Sequence, residues 1–122
     1  MKVLHIEDTV IKHYEICKVM KKCGVLEIDW VKTLEDALQM VREHKLEYNL
    51  IVTDMYYPLT PGGDEAESGL IFIQKMEEMK IETPIIVCSS VRYQIPGICG
   101  SVHYSDKTDW EQQLCSLIRQ CK

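Results

Sequence analysis

Carboxylates, hydroxyls and one ammonium stand in this chain at the points where short apolar runs stop. The run VLHI ends in Glu7 and Asp8, LIVT in Asp54, PIIVC in Ser89 and Ser90, and VHYS in Asp106 and Lys107. Gathered at neutral pH, Glu7, Asp8 and Asp54 would repel and raise one another's pKa values, and a divalent cation relieves that repulsion. With oxygen-only ligands and open positions the natural ion is Mg²⁺, which keeps waters and shares its ligands with phosphate oxygens. The substrate expected is therefore a phosphoryl group. Its transfer needs an in-line nucleophile, a cation, and hydrogen-bond donors for the remaining oxygens. Asp54 would be the nucleophile and form an acyl phosphate. An ion held by Glu7, Asp8 and Asp54 would neutralise one oxygen, Lys107 a second, and Ser89 would donate to a third, the spacing after Pro84 favouring Ser89 over Ser90.

These groups meet only if the fold carries them to one place. Residues 2–6 read as a buried strand, and residues 9–23 as a helix with Val10, Tyr14, Cys17 and Met20 on its apolar face, stopped by Gly24. Residues 25–31 alternate as a half-exposed strand with Leu26, Ile28 and Trp30 on one side. Thr33 opens a helix with Leu34, Ala37, Leu38 and Val41 facing inward, ending near His44-Lys45. Residues 50–53 are a second apolar strand, 56–68 (YYPLTPGGDEAES) a long loop, 69–80 an amphipathic helix and 84–88 a third buried strand. Pro96-Gly97 allow at most a turn or two of helix between residues 91 and 100. Residues 102–105 make a short last strand, and Asp109 caps a helix with Trp110, Leu114, Leu117 and Ile118 inward.

Strands alternating with helices demand crossovers, hence a five-stranded, doubly wound parallel α/β sheet flanked by helices, with a short or degenerate fourth helix. In such a sheet ligands bind beyond the carboxyl ends of the strands, where the candidate residues fall.

At 122 residues, one domain (1–122) with a hydrophobic core is expected, and 46% hydrophobic with 27% charged residues is a globular composition. Fourteen basic against 19 acidic residues, a formal charge of −5, leave no footprint for direct nucleic-acid binding. The N-terminal apolar run is too short for a signal peptide or membrane span, so a cytoplasmic chain is expected. In a reducing compartment Cys17, Cys23, Cys88, Cys99, Cys115 and Cys121 would be small apolar fillers, and Cys88 in a buried strand an inert one. His5, His13, His44 and His103 show no metal-ligand spacing and read as surface or packing residues.

The segments KVLHIED, LIVTDMYYP, PIIVCSS and HYSDK, in this order and at strand ends, resemble the receiver domain of bacterial two-component response regulators (CheY-like) over essentially the whole chain. The resemblance implies paired metal-binding acids at Glu7 and Asp8, a phosphorylated aspartate at Asp54, the backbone carbonyl of Tyr56 as a further Mg²⁺ ligand, a hydroxyl switch at Ser89 and the lysine at Lys107. The proline four residues past the phosphorylation site is Pro58, and the aromatic that changes rotamer on activation is Tyr104. It implies a sensor histidine kinase or phosphotransfer protein as donor, a downstream effector protein or domain, a possible homodimer, and catalysis limited to the chain's own phosphorylation and dephosphorylation.

The sequence departs from that pattern in places. LTPGGDEAES separates Pro58 from Gly69, where the family has a short link. The fourth helix is curtailed, and Thr108 replaces the proline after the lysine. The ring of Tyr56 stands where it would hinder an attacking water, which implies slow dephosphorylation. These departures suit the main alternative, a pseudo-receiver that signals by protein contact without phosphorylation. A phosphatase of the haloacid dehalogenase type would need an acid at residue 56, where Tyr56 stands. A flavodoxin-like flavin site would need a phosphate loop after the first strand.

Overall fold

The computed structural model describes residues 1–44 and 47–121. In chain order it comprises β1 (Lys2–Ile6), α1 (Val10–Lys22), β2 (Glu27–Val31), α2 (Leu34–His44), β3 (Leu50–Thr53), β4 (Tyr57–Pro58), β5 (Glu65–Ala66), α3 (Ser68–Glu78), β6 (Ile85–Ser89), β7 (Gly100–His103) and α4 (Trp110–Gln120). The expected end of α2 at Lys45 lies outside the described residues.

Five strands form one parallel sheet in the order β2-β1-β3-β6-β7, the doubly wound α/β arrangement expected from the alternation of elements. Apolar alternation along the strands builds two cores. Val3, Leu50, Val52, Ile86, Cys88 and Val102 meet Ile16, Val19 and Met20 of α1 and Trp110, Leu114 and Ile118 of α4 on one face. Leu4, Ile6, Ile51 and Ile85 meet Leu34, Ala37, Leu38 and Val41 of α2 and Phe72 and Met76 of α3 on the other. The chain leaves β1 toward β2 on one side and returns to β3 on the other, so the sheet reverses direction between β1 and β3. A crevice opens at such a switch point, beyond the strands' carboxyl ends.

Several local expectations are corrected. Helix α1 does not bury Val10 or Tyr14, which are 46% and 59% exposed; its inward face carries Lys12, His13, Ile16, Val19 and Met20. Lys12 and His13 find polar partners inside, which a pattern of apolar residues alone does not register. Leu26 is exposed because it precedes β2, which begins at Glu27.

Residues 56–68 are not only loop: Tyr57 pairs with Ala66 and Pro58 with Glu65 in an antiparallel ribbon. Within it Gly63 N–H donates to the Thr60 carbonyl at 3.0 Å, and Gly62 takes φ 78°. Pro61-Gly62 thus occupies the two central positions of a turn that needs a positive φ second. No helix forms between β6 and β7, in line with Pro96-Gly97.

Cys23 is disulfide-bonded to Cys115 and Cys99 to Cys121, against the expectation of free thiols. Cys115 lies in α4 and Cys121 directly follows it, and the fold lays α4 beside the end of α1 and the segment before β7. Among the described residues Cys17 and Cys88 are the free cysteines. Among the described residues no helix is long and apolar enough to cross a membrane.

Candidate functional site

β1 and β3 are adjacent and in parallel register, Ile6 opposite Thr53, so Glu7 and Asp54 leave the sheet side by side. Asp54 N–H donates to the Ile6 carbonyl at 3.0 Å and Glu7 N–H to that of Val31, extending the ladder to the acids. Glu7, Asp8 and Asp54 each present a carboxylate oxygen within 4.8 Å of the others.

Each acid is held differently. Glu7 is fully buried; its Oε2 accepts from Thr9 N–H at 3.2 Å and its carbonyl from Trp30 Nε1 at 2.7 Å. Burial, with Asp54 alongside, raises its carboxyl well above the usual range, to about 7, although Lys12 opposes the shift. Asp54 Oδ1 accepts from Met55 N–H at 2.7 Å, which fixes the carboxylate's orientation. Its side chain is 13% exposed. Asp8 Oδ1 is buried without a hydrogen-bond partner.

Behind Asp54, α3 comes very close. Gly69 N–H donates to the Met55 carbonyl at 3.0 Å, and a Cβ on Gly69 would lie 2.7 Å from the Asp54 carbonyl oxygen and from Met55 Sδ. Only glycine permits this approach. Ser68 donates to the Tyr57 carbonyl at 2.5 Å, tying the start of α3 to the ribbon.

Two residues that sequence reasoning passed over belong to the site. Lys12 Nζ is 3.0 Å from Glu7 Oε1, 3.3 Å from Asp54 Oδ1 and 3.0 Å from the Cys88 carbonyl, to which it donates. Its contact with Glu7 is an ion pair off the line of a hydrogen bond, so Glu7 Oε1 has no hydrogen-bond partner. Glu65 is carried back toward Asp8 by the ribbon, and that neighbouring carboxylate raises the Glu65 carboxyl above its usual range. Lys12 was legible in principle, one helical turn past Asp8. Glu65 was not, because its position depends on the ribbon.

The remaining expected residues divide. Thr9, Lys12, Asp54, Tyr56, Glu65, Ser90 and Tyr104 line an open cleft of about 570 Å³. Ser89 lies buried at the end of β6, its Oγ accepting from Val91 N–H at 3.2 Å, while Ser90, the residue set aside, lines the cleft. Tyr104 is half-buried, its ring against Trp110 and 5.1 Å from Lys12 Nζ, its hydroxyl donating to Glu15. Tyr56 donates to Glu67 Oε2 at 3.0 Å, which also accepts from Tyr93.

Lys107 does not line this cleft. It is exposed and, among the described residues, makes no ion pair. The Thr108 hydroxyl donates to the His103 carbonyl at 2.7 Å, and Thr108 N–H donates to the Ser105 carbonyl, folding residues 105–108 into a turn at the surface. A larger cleft of about 730 Å³ lies at the other edge of the sheet, around Met76, Glu77, Glu82, Pro84 and Ile98, and none of the expected site residues lines it.

His5, His13 and Cys17 also cluster, with His5 and His13 as packing residues of the interior. His5 and His13 are buried, with Nδ1 atoms 2.7 Å apart and ring centroids 4.9 Å apart, and His13 stacks on Trp30. Two ligands bound at ~2.0 Å around a tetrahedral ion need about 3.3 Å between them. The pair is therefore a hydrogen bond between imidazoles, kept below the ordinary histidine range by burial. Cys88 is likewise inert in this setting, its buried thiol pushed up to about 12.

The donor set at the crevice is all oxygen, with two buried carboxylate oxygens lacking hydrogen-bond partners, which suits a hard divalent cation. The Lys12 ammonium already lies against two of those acids.

No family model matches the chain. Among curated proteins, Two-component system protein A of Emericella nidulans is 29% identical over 84 residues, spanning 69% of this chain and 11% of that much longer protein. Chemotaxis response regulator CheY4 of Vibrio cholerae superposes with a TM-score of 0.74 at 16% identity, covering 99% of this chain and 98% of that one. Response regulator TrrA of Thermotoga maritima, solved in complex with Mg²⁺ and BeF, gives 0.77 at 19%, again covering 99% and 98%. The receiver domain protein of Clostridium thermocellum gives 0.75 at 16%, covering 98% and 92%. Identities this low speak for the fold, and they agree with the sheet order and the switch-point crevice: the chain has the fold of a CheY-like response regulator receiver domain.

Proposed function

We propose that this chain is a phospho-accepting receiver whose phosphorylation site is Asp54. The observation that carries the reading is the convergence of Glu7, Asp8 and Asp54 at the crevice between β1 and β3, with Asp54 opening onto the cleft. Asp54 Oδ1 is held by the Met55 amide and the Lys12 ammonium, which leaves Oδ2 to attack. In transfer from a phosphohistidine the P–N bond breaks, a P–O bond to Asp54 forms, and the released imidazole takes up a proton from water. Glu7, Asp8, Asp54 and the Tyr56 carbonyl would hold Mg²⁺, which when bound offsets charge on the transferring group. Lys12 and Ser90 line the same cleft and are donors the chain itself offers there.

On this reading the donor is a histidine kinase or phosphotransfer protein, the output a protein-interaction surface, and the only chemistry the gain and loss of the chain's own acyl phosphate. Incubation with Mg²⁺ and a small phosphodonor, followed by intact mass measurement, tests it. One added phosphoryl mass, abolished in Asp54→Asn, is expected; no added mass in either form rejects it.

A second reading, a pseudo-receiver working by contact alone, draws on two observations: Lys12 is paired with Glu7 and Asp54, and Lys107 is exposed. The same mass measurement separates the two.

A further inference from the structure

We propose that the Lys12 ammonium is a tethered counter-ion that substitutes for much of the role of a divalent cation between Glu7 and Asp54, so that this chain binds Mg²⁺ weakly. A second part rests on the reading of Asp54 as a phospho-acceptor: phosphorylation depends only slightly on added Mg²⁺.

Lysines rarely lie inside a protein, because an ammonium withdrawn from water needs matching charge and acceptors for its protons. Lys12 is 7% exposed and has both. Three oxygens surround this ammonium within 3.3 Å: it donates to the Cys88 carbonyl and is ion-paired with the carboxylates of Glu7 and Asp54. The Tyr104 ring, 5.1 Å from the ammonium, closes the remaining side, and a cation so placed over a ring face is attracted to it.

The helix fixes this arrangement. Lys12 is in the first turn of α1, which starts directly above the crevice, so its side chain reaches across the ends of β1, β3 and β6 at once. A solvated surface lysine would make none of these contacts.

The consequence for a metal ion is electrostatic. Ionised Glu7, Asp8 and Asp54 carry three negative charges, and Lys12 cancels one where two of the carboxylates meet. A divalent cation ligated by Glu7 and Asp54 must share those oxygens with a positive charge or expel it into water. The same ammonium is already placed to face a phosphoryl group on Asp54. Lys107, by contrast, is exposed and does not line the cleft.

Calorimetric titration of MgCl₂ into the full chain and into Lys12→Met, at fixed ionic strength and with folding checked by circular dichroism, reads the first part without any phosphorylation. We expect the variant to bind Mg²⁺ at least ~10-fold more tightly, since one opposing charge is gone from the ligand set. Equal affinities, or tighter binding by the unaltered chain, overturn the proposal.

In the second arm, phosphorylation by phosphoramidate is followed with Mg²⁺ or with EDTA. The unaltered chain should change less than ~3-fold and Lys12→Met more than ~10-fold, as expected for a site that has lost its resident cation. Abolition by EDTA in the unaltered chain overturns the second part. Phosphorylation of neither form rejects the phospho-acceptor reading, while the calorimetry still decides the first part. If Lys12→Met does not fold, ¹⁵N-lysine NMR of the unaltered chain serves instead. A distinct, slowly exchanging Lys12 ammonium signal that millimolar Mg²⁺ leaves in place supports the proposal, and a signal lost among the solvated lysines overturns it.

Discussion

Replacing Gly69 with alanine puts a methyl group against the backbone that carries Asp54. In an ordinary helix the exchange is favourable: alanine exceeds glycine in propensity by up to about 1 kcal/mol, and restriction of the unfolded chain adds ~0.4–1 kcal/mol. Here the new Cβ would lie 2.7 Å from the Asp54 carbonyl oxygen, 2.7 Å from Met55 Sδ and 2.8 Å from Met55 Cα. The Met55 side chain could give way, but the two backbone atoms belong to the turn that leaves β3, anchored by Asp54 N–H to the Ile6 carbonyl. Forcing atoms apart in a packed interior costs about 1–3 kcal/mol, and the helix end dilutes the propensity gain. The net expectation is destabilisation by ~1–2 kcal/mol, which with a urea slope of ~2 kcal/mol/M lowers the unfolding midpoint by about 0.5–1 M. Gly63→Ala is the control. Its Cβ would be 3.2 Å from the Thr60 carbonyl oxygen in a surface turn, and its stability should stay within the ~0.5 kcal/mol typical of surface changes, a midpoint shift of at most about 0.25 M. A Gly69→Ala midpoint equal to or above that of the unaltered chain would show that α3 does not press on the Asp54 turn.

Further expectations concern the site and the cysteines. Glu7 has its carboxyl raised by burial and by Asp54, against Lys12, so the folded chain holds this proton more tightly than the unfolded one. Its contribution to stability must therefore fall as pH rises from the usual carboxylate range through about 7. Buried His5, with its pKa lowered, contributes in the opposite direction, so the difference between the unaltered chain and Glu7→Gln in urea midpoint against pH isolates the effect. A pH-independent difference would contradict it. Tyr56→Ala, which clears a ring from the cleft wall, should speed loss of the acyl phosphate by about tenfold, equivalent to ~1.4 kcal/mol of barrier, measured as decay of the phosphorylated mass. An unchanged half-life would free Tyr56 of that role. Thiol titration of the denatured, unreduced chain should find two reactive thiols, Cys17 and Cys88, out of six cysteines. Reduction should lower the unfolding midpoint, because the Cys23–Cys115 bond closes a sequence separation of 92 residues.

The parts of the fold read correctly from sequence were those set by repeating patterns. Apolar runs with β-branched residues gave the central strands, and the alternation with helices gave the parallel order and the acids at one edge. Features set by single side chains were harder to see. Lys12 reads as the polar face of an amphipathic helix until the acids beneath α1 are in place. Thr108 fixes the surface turn that carries Lys107 through one hydroxyl, and that bond has no periodic signature. The ribbon of β4 and β5 is only two residues per strand, too short for alternation, although Pro61-Gly62-Gly63 marks its turn. The pairing of Cys23 with Cys115 depends on which helices become neighbours, which spacing does not encode.

The central claim is that Asp54 is the phosphorylated group in a crevice shared with Glu7 and Asp8. Crystals soaked with Mg²⁺ and beryllofluoride, a mimic of the acyl phosphate, test it most directly. We expect an adduct on Asp54 Oδ2, with the Lys12 ammonium facing its fluorides. An unmodified Asp54 at saturating beryllofluoride, or an adduct on another acid, would contradict the claim.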